Sequence, residues 1–68
     1  MLSARNQIKG SVLSVKVDGV MAEVVVKAGE FELVSIITRS SVERLSLQPG
    51  DEITVIIKST EVMIDKDV

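Results

Sequence analysis

Three short segments of this 68-residue chain bring hydroxyls and cations together at the ends of apolar runs. They are Ser3-Ala4-Arg5-Asn6-Gln7, Ile37-Thr38-Arg39-Ser40-Ser41-Val42 and Ile57-Lys58-Ser59-Thr60-Glu61-Val62. Before Asp18 the chain carries Arg5, Lys9 and Lys16 and no carboxylate, although acidic groups outnumber basic ones by ten to eight overall. Hydroxyls, a guanidinium and an ammonium are all hydrogen-bond donors, and gathered in one place they suit a small anion. Each segment also has an ordinary reading. Four polar residues ahead of a strand commonly form a solvated leader, and a lysine ending an edge strand commonly guards against aggregation. Ser40 as N-cap, with Glu43 three residues on, makes a capping box that satisfies orphan helix amides; the same amides and hydroxyls could instead hold an anion.

Composition narrows the chemistry. With no His, Cys or Tyr, the chain lacks the commonest general bases and nucleophiles, so binding is expected rather than catalysis. The same absences remove disulfides and ordinary zinc or copper sites. A formal charge of −2 opposes nonspecific nucleic-acid binding, and a single aromatic, Phe31, leaves no stacking platform for single strands. No apolar run approaches the length of about 20 residues that spans a bilayer, and no secretory segment follows Met1. A soluble, cytoplasmic protein is the expectation.

These segments must be positioned by a small aliphatic scaffold. Hydrophobic residues make up 46% of the chain, almost all of them Val, Ile, Leu, Ala and Met, a composition that favours strands. From Ile8 to Val17, Leu13, Val15 and Val17 alternate with Ser14 and Lys16, the period of a strand with one buried face. Gly10 marks a bulge or bend, or else a loose strand start. Asp18-Gly19 makes a hairpin turn into a second strand ending at Lys27, with Ala22, Val24 and Val26 on one face and Glu23, Val25 and Lys27 on the other. Ala28-Gly29-Glu30 turns the chain again. The third strand, Phe31 to Thr38, is apolar on both faces: Leu33 and Ile37 on one, Val34 and Ile36 on the other.

A short helix from Ser40 to Leu45 follows, then a Pro49-Gly50 turn of type II and a strand carrying Ile53, Val55 and Ile57 on one face. Val62-Met63-Ile64 reads as a short fifth strand. Five strands, with one short helix between the third and fourth, predict an all-β fold: a small OB-like Greek-key barrel. A barrel of this size buries too little surface to be comfortable alone, so self-association is expected to supply the rest.

Taken in order, Ser3-Ala4-Arg5-Asn6-Gln7-Ile8-Lys9-Gly10, Met21-Ala22-Glu23-Val24, Ile37-Thr38 and Lys58-Ser59-Thr60-Glu61-Val62-Met63-Ile64 resemble the molbindins. These are small molybdate-binding Mop-domain proteins, related to TOBE domains. The likeness runs over nearly the whole chain, and the order and spacing of the segments are more specific than any one of them. It implies a single domain over residues 1–68, binding and storing molybdate or tungstate in the cytoplasm. It also implies a homo-hexamer, a trimer of dimers, with sites formed between subunits. Ser3, Arg5, Thr38, Ser41, Lys58 and Ser59 match the binding positions, with Asn6 adjacent. The ligand would be the intact oxyanion, with no direct metal ligand from the protein, no organic cofactor, and neither nucleic acid nor membrane as partner. Two residues depart from the pattern. Met21 stands where relatives often have a small or polar residue, which weighs against a second oxyanion site on the threefold axes, and Ser46 replaces a frequent helix-ending glycine. The competing reading is a structural or protein-interaction barrel whose serines merely cap and turn.

Overall fold

Period-two alternation along the valine-rich stretches becomes four antiparallel strands in the computed structural model, which describes residues 4–66. They are β1 (Asn6–Asp18), β2 (Met21–Ala28), β3 (Phe31–Thr38) and β4 (Glu52–Ile57), with one helix, α1 (Arg39–Leu45), between the last two. A 3₁₀ turn, Ser59–Glu61, follows β4. Three strands run on through hairpins and the fourth returns beside the first, giving the sheet order β3-β2-β1-β4. This is Greek-key topology, as expected. Among the described residues, no helix is long and apolar enough to cross a membrane.

β1 is the strand that bends the sheet. Its first half, Asn6 to Ser11, pairs with β4, and its second half, Ser11 to Asp18, pairs with β2. The change of partner needs the two backbones to come close. A Cβ on Gly10 would lie 2.6 Å from the Lys27 carbonyl oxygen and 2.8 Å from a Val26 methyl, so only glycine fits. The register then slips between Val12 and Ser14, leaving Leu13 as the extra residue of a bulge. Gly10 is therefore a close-approach residue, and the bulge lies three positions further on. Both hairpins, at Gly19-Val20 and Gly29-Glu30, are two-residue loops with a positive-φ glycine first, the pattern of type II′ turns that match strand twist.

The bulge explains which valines are buried. Val12 faces the core with Ala22, Val24 and Val26 of β2, and Val42 of α1 caps that cluster. Val15, Leu33, Ile37, Leu47, Ile53 and Val55 pack around it. Each fully buried valine contributes about 1.5–3 kcal/mol, and the partly buried residues less. Of the two apolar faces of β3, Leu33 and Ile37 turn inward, while Val34 and Ile36 are left about 60% exposed. Phe31, at a hairpin end, is outside the core.

Two expectations are corrected. The helix cap is Thr38, not Ser40: Thr38 ends β3 already extended (φ −75°, ψ 151°), so α1 begins at Arg39 and the Thr38 hydroxyl accepts the Ser41 N–H at 3.1 Å. Glu43 makes no capping box and instead pairs with Arg39, 3.5 Å away. Among the described residues no fifth strand forms. After the 3₁₀ turn, Val62-Met63-Ile64 joins no ladder, and Met63 and Ile64 are more than 90% exposed. With β3 and β4 both unpaired on their outer sides, the curled sheet stays open, and a cleft of about 490 Å³ lies against Val12, Val24, Leu45, Leu47, Ile53 and Val55.

Candidate oxyanion site

Asn6 opens β1 opposite Ile57, the last residue of β4, and its side-chain amide donates to the Ile57 carbonyl at 3.1 Å. That bond, half-buried, ties the start of the chain to the end of β4. Arg5 is thereby set beside the segment that continues as Lys58-Ser59. Gln7 adds a brace that the sequence reading passed over: its amide donates to the Ala4 carbonyl at 2.7 Å, closing a small loop around Arg5. Lys58 precedes the 3₁₀ turn, which is closed by the Glu61 N–H donating to the Lys58 carbonyl at 2.9 Å. Arg5, Lys58 and Ser59 are exposed, and among the described residues neither cation has a carboxylate within salt-bridge distance. Both charges are available to a ligand. Ser3, predicted to join them, lies outside the described residues.

A second group of donors forms where β3 meets α1. The Thr38 and Ser41 hydroxyls are 2.7 Å apart, and Ser40 Oγ lies 3.2 Å from Thr38 Oγ1. The Ser41 N–H is already spent on Thr38, which settles part of the choice between capping and anion binding: the amide caps, and the hydroxyls remain. Three O–H protons share two oxygen–oxygen contacts, and each hydroxyl can rotate to donate outward when an acceptor arrives. One residue here was read from the sequence chiefly as a helix cap, and another was not singled out at all. Ser40 belongs to the hydroxyl cluster, and Arg44 donates from Nη2 to Ser41 Oγ at 3.4 Å. The three-residue spacing of Thr38, Ser41 and Arg44 was the available signal.

The strand register separates these groups. Arg5, Asn6, Lys58 and Ser59 gather at the start of β1, through Asn6 opposite Ile57. Thr38 and Ser41 belong to its other end, because Asp18 pairs with Met21 and Met21 with Thr38. Between them lies the whole length of β1, a contour of about 40 Å at about 3.3 Å per residue. The predicted residues thus form two half-sites, each composed of donors.

Comparison with known proteins bears on what such half-sites serve. The TOBE domain model matches residues 2–64, nearly the whole chain. The chain belongs to the TOBE domain family. Its TOBE relatives include molybdenum-pterin-binding protein 3 of Clostridium pasteurianum, 52% identical over 64 residues, covering 93% of this chain and 94% of that one. Among solved TOBE-like structures, MopII of the same organism superposes with a TM-score of 0.92 at 46% identity, over 97% of this chain and all of that one. A molybdate-binding protein of Sporomusa ovata gives 0.93 at 38% identity, over 97% and 98%. The molbindin resemblance is met by these relatives, and the TOBE match spans every predicted position from Ser3 to Ser59.

Proposed function

We propose that this chain binds molybdate or tungstate as the intact oxyanion and stores or buffers it in the cytoplasm. Its sites are completed between copies of the chain, in a homo-hexamer assembled as a trimer of dimers. The observation that carries this reading is the pair of half-sites, made of hydroxyls and cations without a carboxylate, at opposite ends of β1. Either half alone is too sparse for a dianion. Removing a charged group from water costs several kcal/mol unless counter-charges and hydrogen bonds replace the lost hydration. A twofold pairing that lays the start of one β1 against the end of another brings Arg5, Lys58 and Ser59 of one copy to Thr38 and Ser41 of the other. Ser3 and Asn6 complete the set, Asn6 by positioning.

Tetrahedral molybdate has four acceptor oxygens and, near neutral pH, no proton to give. A site of hydroxyls, one guanidinium and one ammonium can turn a donor to each oxygen and sets no carboxylate against the dianion. The binding role involves no reaction and no organic cofactor. Relatives named for molybdate and molybdenum-pterin binding support the choice of ligand.

Assembly is favoured by what the single chain leaves uncovered. The open cleft and the unpaired edges of β3 and β4 invite an added strand, and the exposed Val62-Met63-Ile64 of a second copy has the apolar side chains to fill it. The missing fifth strand would then come from the partner. Equilibrium dialysis against molybdate with metal analysis tests the function. Saturable binding retained after gel filtration supports it, and protein free of molybdenum at saturating ligand refutes it.

A further inference from the structure

We propose that Arg44 is an additional cation of the oxyanion site, acting on the ligand through the Thr38–Ser41 half. This rests on the oxyanion-binding reading above. Arg44 stands three residues after Ser41, and Ser41 three after the N-cap Thr38, so each successive pair is in reach across one helical turn. Its guanidinium reaches the hydroxyl cluster, 3.4 Å from Ser41 Oγ, and that oxygen is 2.7 Å from Thr38 Oγ1. The charge is not consumed elsewhere. Glu43, the one carboxylate on the helix, is held by Arg39 at 3.5 Å, and no carboxylate pairs with Arg44 among the described residues. Among the described residues the guanidinium has no other side-chain partner: its hydrogen bond goes to a hydroxyl that a bound anion would also use.

The consequence is a change in the charge balance of the site. Arg5 and Lys58 supply two positive charges to a dianion from one copy, and Arg44 adds a third from the copy that brings the hydroxyls. A guanidinium can donate to the Ser41 oxygen and to a ligand oxygen at once, because it has five N–H groups in a fixed fork. Polarising Ser41 in this way makes its own O–H a better donor to the anion. Arg44 is therefore assigned a direct binding role.

The experiment is a charge series at one position, Arg44→Lys, Arg44→Gln and Arg44→Glu, titrated with molybdate by calorimetry beside the wild type. Circular dichroism on each variant checks that the fold is kept. The residue is exposed in the last helical turn, so all three substitutions should fold. Affinity should fall stepwise with charge: least for R44K, by about tenfold for R44Q, and further for R44E, as loss of a charge-assisted hydrogen bond predicts. A merely structural role at the helix end would not order binding by charge. R44Q and R44E both within twofold of wild-type affinity, with the wild type binding molybdate, would overturn the assignment of Arg44 alone. A wild type that binds no molybdate overturns the oxyanion reading and this inference with it.

Discussion

Arg5 and Lys58 are the two residues on which neutralising the ligand depends most directly, since each is exposed and, among the described residues, neither is paired with a carboxylate. Arg5→Ala and Lys58→Ala should each weaken molybdate binding at least about tenfold, the loss expected for a charge-assisted hydrogen bond of about 1.5–3 kcal/mol. Their thermal unfolding should match the wild type, so a melting curve beside each titration separates lost ligand contacts from lost fold. Asn6 should behave differently. Its amide is engaged with Ile57 across the β1–β4 ladder, so Asn6→Ala should lower stability as well as affinity. Selectivity follows from the lack of a carboxylate among the site residues: the proton of hydrogen phosphate finds no anionic acceptor there, and each hydroxyl that turned to accept it would be lost as a donor to the ligand. Competition dialysis at neutral pH should leave molybdate bound, and displacement by equimolar phosphate would contradict the assignment. The cations and hydroxyls were legible from residue type and spacing. Arg44 and Gln7 were not, because an arginine in a last helical turn and a glutamine near a strand start have common solvated roles that composition cannot distinguish from these.

At the scale of elements, two backbone positions restrict which residue the fold accepts. Gly10→Ala should destabilise the chain by about 1–3 kcal/mol, because the added methyl meets the Lys27 carbonyl and Val26 where β1 changes partners. Urea denaturation measures this, and a variant as stable as the wild type would mean that the two strands can separate freely. Ser46 ends α1 in the left-handed region, φ 53°, held by its N–H donating to the Glu43 carbonyl and that of Leu47 to Val42. Only glycine adopts this conformation without steric cost. Ser46→Gly should therefore stabilise by about 0.5–1 kcal/mol, the left-handed penalty less the extra entropy that glycine loses on folding. The strands were readable because alternation of valines with polar residues has one simple meaning. The displaced cap was less so: Thr38, Ser40 and Ser41 are all competent cap residues, and the choice was made by where β3 ended. Bulge placement was likewise hidden, since Leu13 looks apolar in either register and only pairing with β2 decides which neighbour turns inward.

For the molecule as a whole, the proposed assembly would cover surfaces that the single chain leaves exposed. Val34 and Ile36 lie exposed on the outer face of β3, with Val34 directly across from Val25 on β2. Burying such a patch stabilises at about 25 cal/mol per Å², a contribution that a core this small needs. Ile36→Asp should lower both sedimentation mass and molybdate uptake, although Ile36 belongs to neither half-site. The expected fifth strand was misread because Val62-Met63-Ile64 has the apolar composition of a strand, while composition alone does not supply the ladder it would need. The same limit applied to the site: residue types named its members, while the register of β1 revealed that one chain holds them apart. The most direct test of a shared site is complementation. One variant carries Arg5→Ala and Lys58→Ala, the other Thr38→Ala and Ser41→Ala, and each is expected to lose binding. The two are unfolded together, refolded as mixed oligomers, and assayed by dialysis against molybdate. In a twofold-symmetric pair each site takes one half from each copy, so random mixing restores one intact site in every mixed dimer, roughly a quarter of wild-type capacity. Recovery near that level is the predicted result; mixed oligomers that bind no more molybdate than either variant alone would contradict the account.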